Sequence, residues 1–151
     1  MKNLTIQNEL SPELPHIYGH IDYRRFRDEL LKIDEILCKG GLEDNLINAA
    51  MASFADSDIA NIRGYARRWK YCQQALRCNI CRHLTGDSFR DFSIRLSDSI
   101  LFQWFVGIHR FSKQKAVSKS SLERFSKLFD EKLIADTLRQ WQSTFLSDED
   151  K

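Results

Sequence analysis

Between Thr85 and Phe129 the chain reads T-G-D-S-F-R-D-F-S-I-R-L-S-D-S-I-L-F-Q-W-F-V-G-I-H-R-F-S-K-Q-K-A-V-S-K-S-S-L-E-R-F-S-K-L-F, three short amphipathic segments joined by tight connections and a basic strip. Phe89, Phe92 and Leu96 recur at the spacing of one helix face, and Asp87 or Ser88 can accept a bond from the free amides at its start. Ser97 or Asp98 can cap a second helix, whose Ile100, Leu101, Trp104, Phe105 and Ile108 form a wide apolar stripe with Gly107 near its end. Ser120 and Glu123 have capping-box spacing for a third, backed by Leu122, Phe125 and Phe129. Three helices, the last fronted by cations, are how a helix-turn-helix-like unit presents itself in a sequence.

The flanking sequence is also helical in pattern. Only two prolines and six glycines interrupt the 151 residues, and no long alternating run of β-branched residues competes. Residues 1–20, with Ser11-Pro12 and Leu14-Pro15, read as a loosely ordered leader. Asp22 can cap a helix with Phe26, Leu30, Ile33 and Leu37 on one stripe, ended by Gly40-Gly41. Leu42, Leu46, Ala49, Ala50 and Phe54 suggest a shorter helix with a small-residue face, stopping near Asp56. Asp58 can cap a long helix holding Ile59, Ile62, Ala66, Trp69, Leu76, Ile80 and Leu84, in which Gly64 can mark a bend. Leu133, Ile134, Leu138, Trp141 and Phe145 indicate a last helix before an acidic tail, residues 147–151. The expectation is an all-α, compact bundle of about six helices with a helix-turn-helix-like unit, a single domain over residues 21–146. Ten Phe and three Trp supply aromatic anchors for a small helical core.

Net charge is only +2, which does not make the chain a polyelectrolyte, but the charges are segregated. Arg63, Arg67, Arg68, Lys70, Arg77 and Arg82 occur with no intervening acid, whereas Asp28 to Asp58 holds eight acids against two lysines. Such separation predicts a dipolar surface able to steer an anionic partner. His109, Arg110, Lys113, Lys115, Lys119, Arg124 and Lys127 straddle the start and outer face of the third helix of the central unit. A helix amino terminus offers free amides to phosphate, and Ser118, Ser120 and Ser121 add hydroxyl donors. Cations on the connection would bind the backbone, while Lys119, Ser121 and Arg124 would reach base edges. A solvated loop and an ordinary amphipathic helix would produce the same pattern. Arg67, Arg68 and Lys70 can supply a second backbone strip, although a solvated helix face explains them better.

Cys78 and Cys81 have metal-ligand spacing, and Cys72 with His83 would complete a zinc set. All four fall within a few turns of one helix, which cannot wrap ligands tetrahedrally around an ion, so no metal is expected. Cys72 reads as a small core residue, and Cys78 and Cys81 as partly exposed thiols. Asp87 and Asp91 share a face but are explained by capping and by Arg90 or Arg95, not by catalysis. No phosphate-cradling loop or dinucleotide fingerprint is present, and no cofactor is expected. The Met1–Asn8 start lacks an apolar signal core, so a cytoplasmic protein with reduced thiols and no membrane contact is expected.

The runs Gly86–Phe92, Leu96–Ile108 and Val117–Phe125 resemble the amino-terminal helical domain of bacterial DDE transposases encoded by insertion sequences. The resemblance lies in their order: a small turn, a short helix with an aromatic and an arginine, a helix ending in aromatic-x-glycine, and a serine-capped helix. It implies double-stranded DNA, the inverted repeats at transposon ends, as partner. It does not imply catalysis, because the carboxylates of those transposases belong to a separate ribonuclease-H-like domain that this sequence does not contain. The DNA-binding residues expected are Arg110, Lys113, Lys115, Ser118, Lys119, Ser121, Arg124 and Lys127. The alternative expectation is a helical interaction or dimerisation module that pairs with itself or with a full-length transposase, using an apolar patch at Trp104, Phe105 and Phe111 or near Trp141.

Overall fold

Helical periodicity becomes helix throughout the described part of the chain. The computed structural model describes residues 21–39, 41–52, 62–108, 117–130 and 132–140. The expected leader and acidic tail, Phe54, Asp58, Ile59, His109, Phe111, Trp141 and Phe145 lie outside the described residues. The elements are α1 (Ile21–Lys39), α2 (Leu42–Met51), α3 (Ile62–Thr85), α4 (Phe89–Asp98), α5 (Ile100–Val106) and α6 (Lys119–Leu128), followed by α7 (residues 132–140). The protein is all-α, with no strand among the described residues.

The axis of the bundle is α3, against which α2, α5 and α6 pack. Trp69, Leu76 and Ile80 are buried as their spacing predicts, and Cys72 and Ala75 fill the apparent gap in that stripe. Around residues 75–81 the helix is buried on every side, so its carboxy-terminal half runs through the core. Leu101 and Phe105 of α5 and Leu122 and Phe125 of α6 close over it, and Phe92 and Leu96 of α4, which packs on α5 and α6, are buried with them. Each such side chain contributes about 1.5–3 kcal/mol on full burial. Phe102 joins α1 to α4, its ring edge-on to Phe26 at 5.6 Å and to Phe92 at 6.0 Å.

Several expectations are corrected in detail. Helix α1 begins at Ile21, so position 22 lies within the helix and not at its cap. In α2 the buried face is Glu43, Ile47 and Met51, and Ala49 is exposed, because a buried cation draws Glu43 inward. Ile62 is 64% exposed and Leu133 41%, both lying off the buried stripes of their helices. Cys78 and Cys81 are fully buried, not partly exposed, since α3 is enclosed at that level.

The three helices of the central unit form in the expected order with different caps. Ser88 starts α4, its side chain accepting from the Asp91 amide. Ser99, not Ser97 or Asp98, starts α5, because α4 runs through Asp98 and only Ser99 adopts the extended backbone that a cap needs. Gly107 ends α5 at φ +87°, its amide bonding to Gln103 and Trp104, a left-handed conformation that glycine adopts without strain. Ser118, not Ser120, starts α6. A single residue therefore separates α4 from α5, and residues 107–118 connect α5 to α6.

Candidate nucleic-acid interface

The amino terminus of α6 is held in place by hydroxyls. Ser93 Oγ of α4 donates to the Val117 carbonyl at 2.6 Å, fixing the chain just before the cap. Ser118 Oγ then accepts from the Ser121 amide at 3.2 Å and lies 3.0 Å from Ser121 Oγ. Ser121 Oγ in turn accepts from Arg124 Nη2 at 3.1 Å, so a chain of hydroxyls draws the guanidinium towards the start of the helix. Lys119, Ser120, Glu123, Arg124 and Lys127 are exposed, and Leu122 and Phe125 face inward. Glu123 offsets part of the positive charge, with its Oε1 3.7 Å from Lys119 Nζ.

Of the eight residues expected at a DNA interface, Ser118, Lys119, Ser121, Arg124 and Lys127 share one end or face of α6. Arg110, Lys113 and Lys115 lie outside the described residues. Ser121 is half-buried, and its hydroxyl is engaged with Ser118 and Arg124. The far end of α6 is anchored by a residue the sequence did not single out. Asn79 Nδ2 donates to the Phe125 carbonyl at 2.9 Å and to the Phe129 carbonyl at 3.1 Å, satisfying acceptors that a helix end leaves open. Tyr71 of α3 meets Phe125 edge-on at 5.3 Å. Together these contacts seat α6 on α3.

The largest polar feature missed by sequence reading is internal. Arg77 Nε and Nη2 donate to the two carboxylate oxygens of Glu43 at 2.8 and 3.3 Å. Its Nη1 donates to Asp34 Oδ1 at 2.7 Å and to the Phe105 carbonyl at 2.9 Å, and the guanidinium lies 5.0 Å from the Phe105 ring centre. Burial opposes the charged guanidinium, but Glu43 and then Asp34 outweigh it and raise the Arg77 pKa. The available signal was position: Arg77 lies between Leu76 and Ile80, and Glu43 lies four residues before Ile47. Because Phe105 is fully buried beneath this cluster, the apolar patch expected at Trp104 and Phe105 does not form as drawn.

Arg82 is also drawn in, its guanidinium 4.3 Å from the Phe89 ring centre. Asp87 pairs with Arg95, Nε to Oδ2 at 2.6 Å, and this hydrogen bond raises the Arg95 pKa. Asp87 is thus an ion-pair partner, while Asp91 gives its amide to the Ser88 cap. Burial raises the pKa of Cys72, Cys78 and Cys81, which favours inert thiols over ligands or nucleophiles. Among the described residues no three His, Cys, Asp or Glu side chains gather as a metal set, and no helix is long and apolar enough to cross a membrane. Asn79, Arg82, His83, Ser126, Phe129 and Ile134 line a recess with room for little more than a water molecule. No family model, curated protein or solved structure matches this chain.

Proposed function

We propose that this chain is a cytoplasmic DNA-binding helical domain of the transposase type, which occupies duplex DNA at insertion-sequence ends and performs no catalysis of its own. The observation that carries the reading is the outer face of α6, where Lys119, Arg124 and Lys127 stand exposed and Arg124 is drawn by Ser121 towards the capped end. In this reading α4, α5 and α6 act as the helix-turn-helix-like unit, with the amino terminus of α6 entering the major groove. Lys119 and Arg124 reach base edges, and Ser118 and Lys127 contact phosphate. Arg110, Lys113 and Lys115 add backbone contacts from the connection. Ser121 contributes by orienting Arg124. The transposase assignment rests on the resemblance in Gly86–Phe92, Leu96–Ile108 and Val117–Phe125.

Gel-shift titration of the protein against an inverted-repeat duplex tests this, at rising salt. Binding that weakens steeply as salt increases is expected, because neutralised phosphates release counterions. Absence of retention even at low salt contradicts it.

A second reading is favoured by Ile94 and Ile100, which are 57% and 46% exposed where α4 meets α5. On that reading the chain is a helical module that pairs with itself or a full-length transposase. Size-exclusion chromatography separates the two: a concentration-dependent dimer with no DNA retention favours pairing.

A further inference from the structure

The six cations between Arg63 and Arg82 divide in space. Arg77 and Arg82 turn inward, onto Glu43 and Phe89, while Arg63, Arg67 and Lys70 are exposed. Their spacing, i, i+4 and i+7, sets them in one row along the amino-terminal half of α3. Among the described residues neither Arg63 nor Arg67 has an ion-pair partner. Like charges at this spacing repel and weaken a helix, so the Arg63–Arg67 pair gives the helix no support.

Its position relative to α6 supplies a use. Arg67 precedes Tyr71 by four residues and shares its side of α3, and Arg124 adjoins Phe125 in α6. The Tyr71–Phe125 edge contact at 5.3 Å joins the helix that carries the row to the helix that carries Arg124. Asn79, bonded to the Phe125 and Phe129 carbonyls, fixes the other end of the same helix pair. The two surfaces belong to one rigid pair.

We propose that Arg63, Arg67 and Lys70 form a second DNA-contacting surface, which grips the phosphate backbone beside the groove that α6 enters. This rests on the α6 reading above and adds to it a non-specific clamp on a separate helix. A duplex strand presents one negative charge per about 3.4 Å of axis, and a helical row whose ends lie i to i+7 apart spans about 10 Å, so the row matches roughly three phosphates. Three cations in line have no pattern of donors with which to tell one base pair from another, so they add affinity without sequence preference.

The test is the triple substitution Arg63→Ala, Arg67→Ala and Lys70→Ala, measured by fluorescence anisotropy on two duplexes of about 30 base pairs, three helical turns: an inverted repeat and a mixed sequence. Alanine is the best helix former, so the circular dichroism stays unchanged. The slope of log affinity against log salt is expected to become shallower by about 2.7, three contacts at about 0.9 each. Affinity for the two duplexes should fall by the same factor. If the parent binds with a steep salt slope and the triple variant matches it in slope and affinity, the clamp is overturned and the α6 reading stands. Loss of retention on phosphatidylserine vesicles with unchanged DNA binding also overturns it, in favour of a membrane surface. A parent protein that binds neither duplex overturns both proposals.

Discussion

Arg77 Nε lies 2.8 Å from Glu43 Oε1 inside the protein, an ion pair between the acid-rich and base-rich stretches that the sequence keeps apart. Asp34 completes the cluster from α1 at 2.7 Å, so one guanidinium ties α1, α2 and the end of α5 to α3. The charge segregation that predicted a dipolar surface is thus partly spent indoors. Removing Glu43 takes away the fully buried carboxylate and leaves the guanidinium only the partly exposed Asp34 as its carboxylate partner. Glu43→Ala is expected to cost about 3–5 kcal/mol in urea unfolding, and replacing both partners by apolar residues, Glu43→Leu with Arg77→Met, should recover most of it. A loss below about 1 kcal/mol for Glu43→Ala would show that the pair does not organise the core.

Asn79 caps the carboxy-terminal end of α6 from α3. Asn79→Leu leaves two carbonyls without their donor and should destabilise by about 1–3 kcal/mol. Hydrogen exchange is the discriminating measurement: amides of α6 should exchange faster while those of α1 and α2 keep their protection. Uniform acceleration would mean that α6 is not separately anchored by this residue.

Two serines at the start of α6, Ser118 and Ser120, should behave differently. Ser118→Ala removes the cap and costs about 1 kcal/mol, whereas Ser120→Ala, at an exposed position, should stay within about 0.5 kcal/mol. The reverse order in thermal or urea unfolding would reinstate the Ser120 capping box.

The thiols also separate. Cys38 is exposed, although partial burial and then the nearby Asp34 raise its pKa, whereas Cys72, Cys78 and Cys81 are buried. In a colorimetric thiol assay Cys38 alone should react in the native protein, slowly, and the other three only after denaturation. Burial lifts the Cys72 thiol from 9.0 to about 11, so the folded state holds a proton that the unfolded chain has already released. That contribution is present in full below pH 9.0 and is lost as the pH rises towards about 11, so stability should fall across this window. Cys72→Ala should flatten the fall.

Helix type and order were legible because Leu30, Leu37, Phe92, Leu96, Leu122 and Phe125 repeat at helical spacing and are buried accordingly. Gly107 was legible because a helix end at positive φ favours glycine. The caps at Ser99 and Ser118 were missed by one or two residues, since each lies in a serine-rich run where local chemistry permits several starts and tertiary contact, here Ser93 to Val117, selects one. The polar interior was missed for a different reason. Pattern reading assigns Arg77, Glu43 and Asn79 to the surface, and only the convergence of five helices gives them partners. At the candidate interface, the row of cations on α6 was readable, but the engagement of the Ser121 hydroxyl by Arg124 was not.

The proposed function depends most on the outer face of α6 touching DNA. Reversing charge at Lys119 and Arg124, to Glu in both, and measuring binding to an inverted-repeat duplex by fluorescence anisotropy addresses that directly. Binding is expected to be lost while the helical circular dichroism and the unfolding midpoint are unchanged. Affinity equal to that of the parent protein would contradict it.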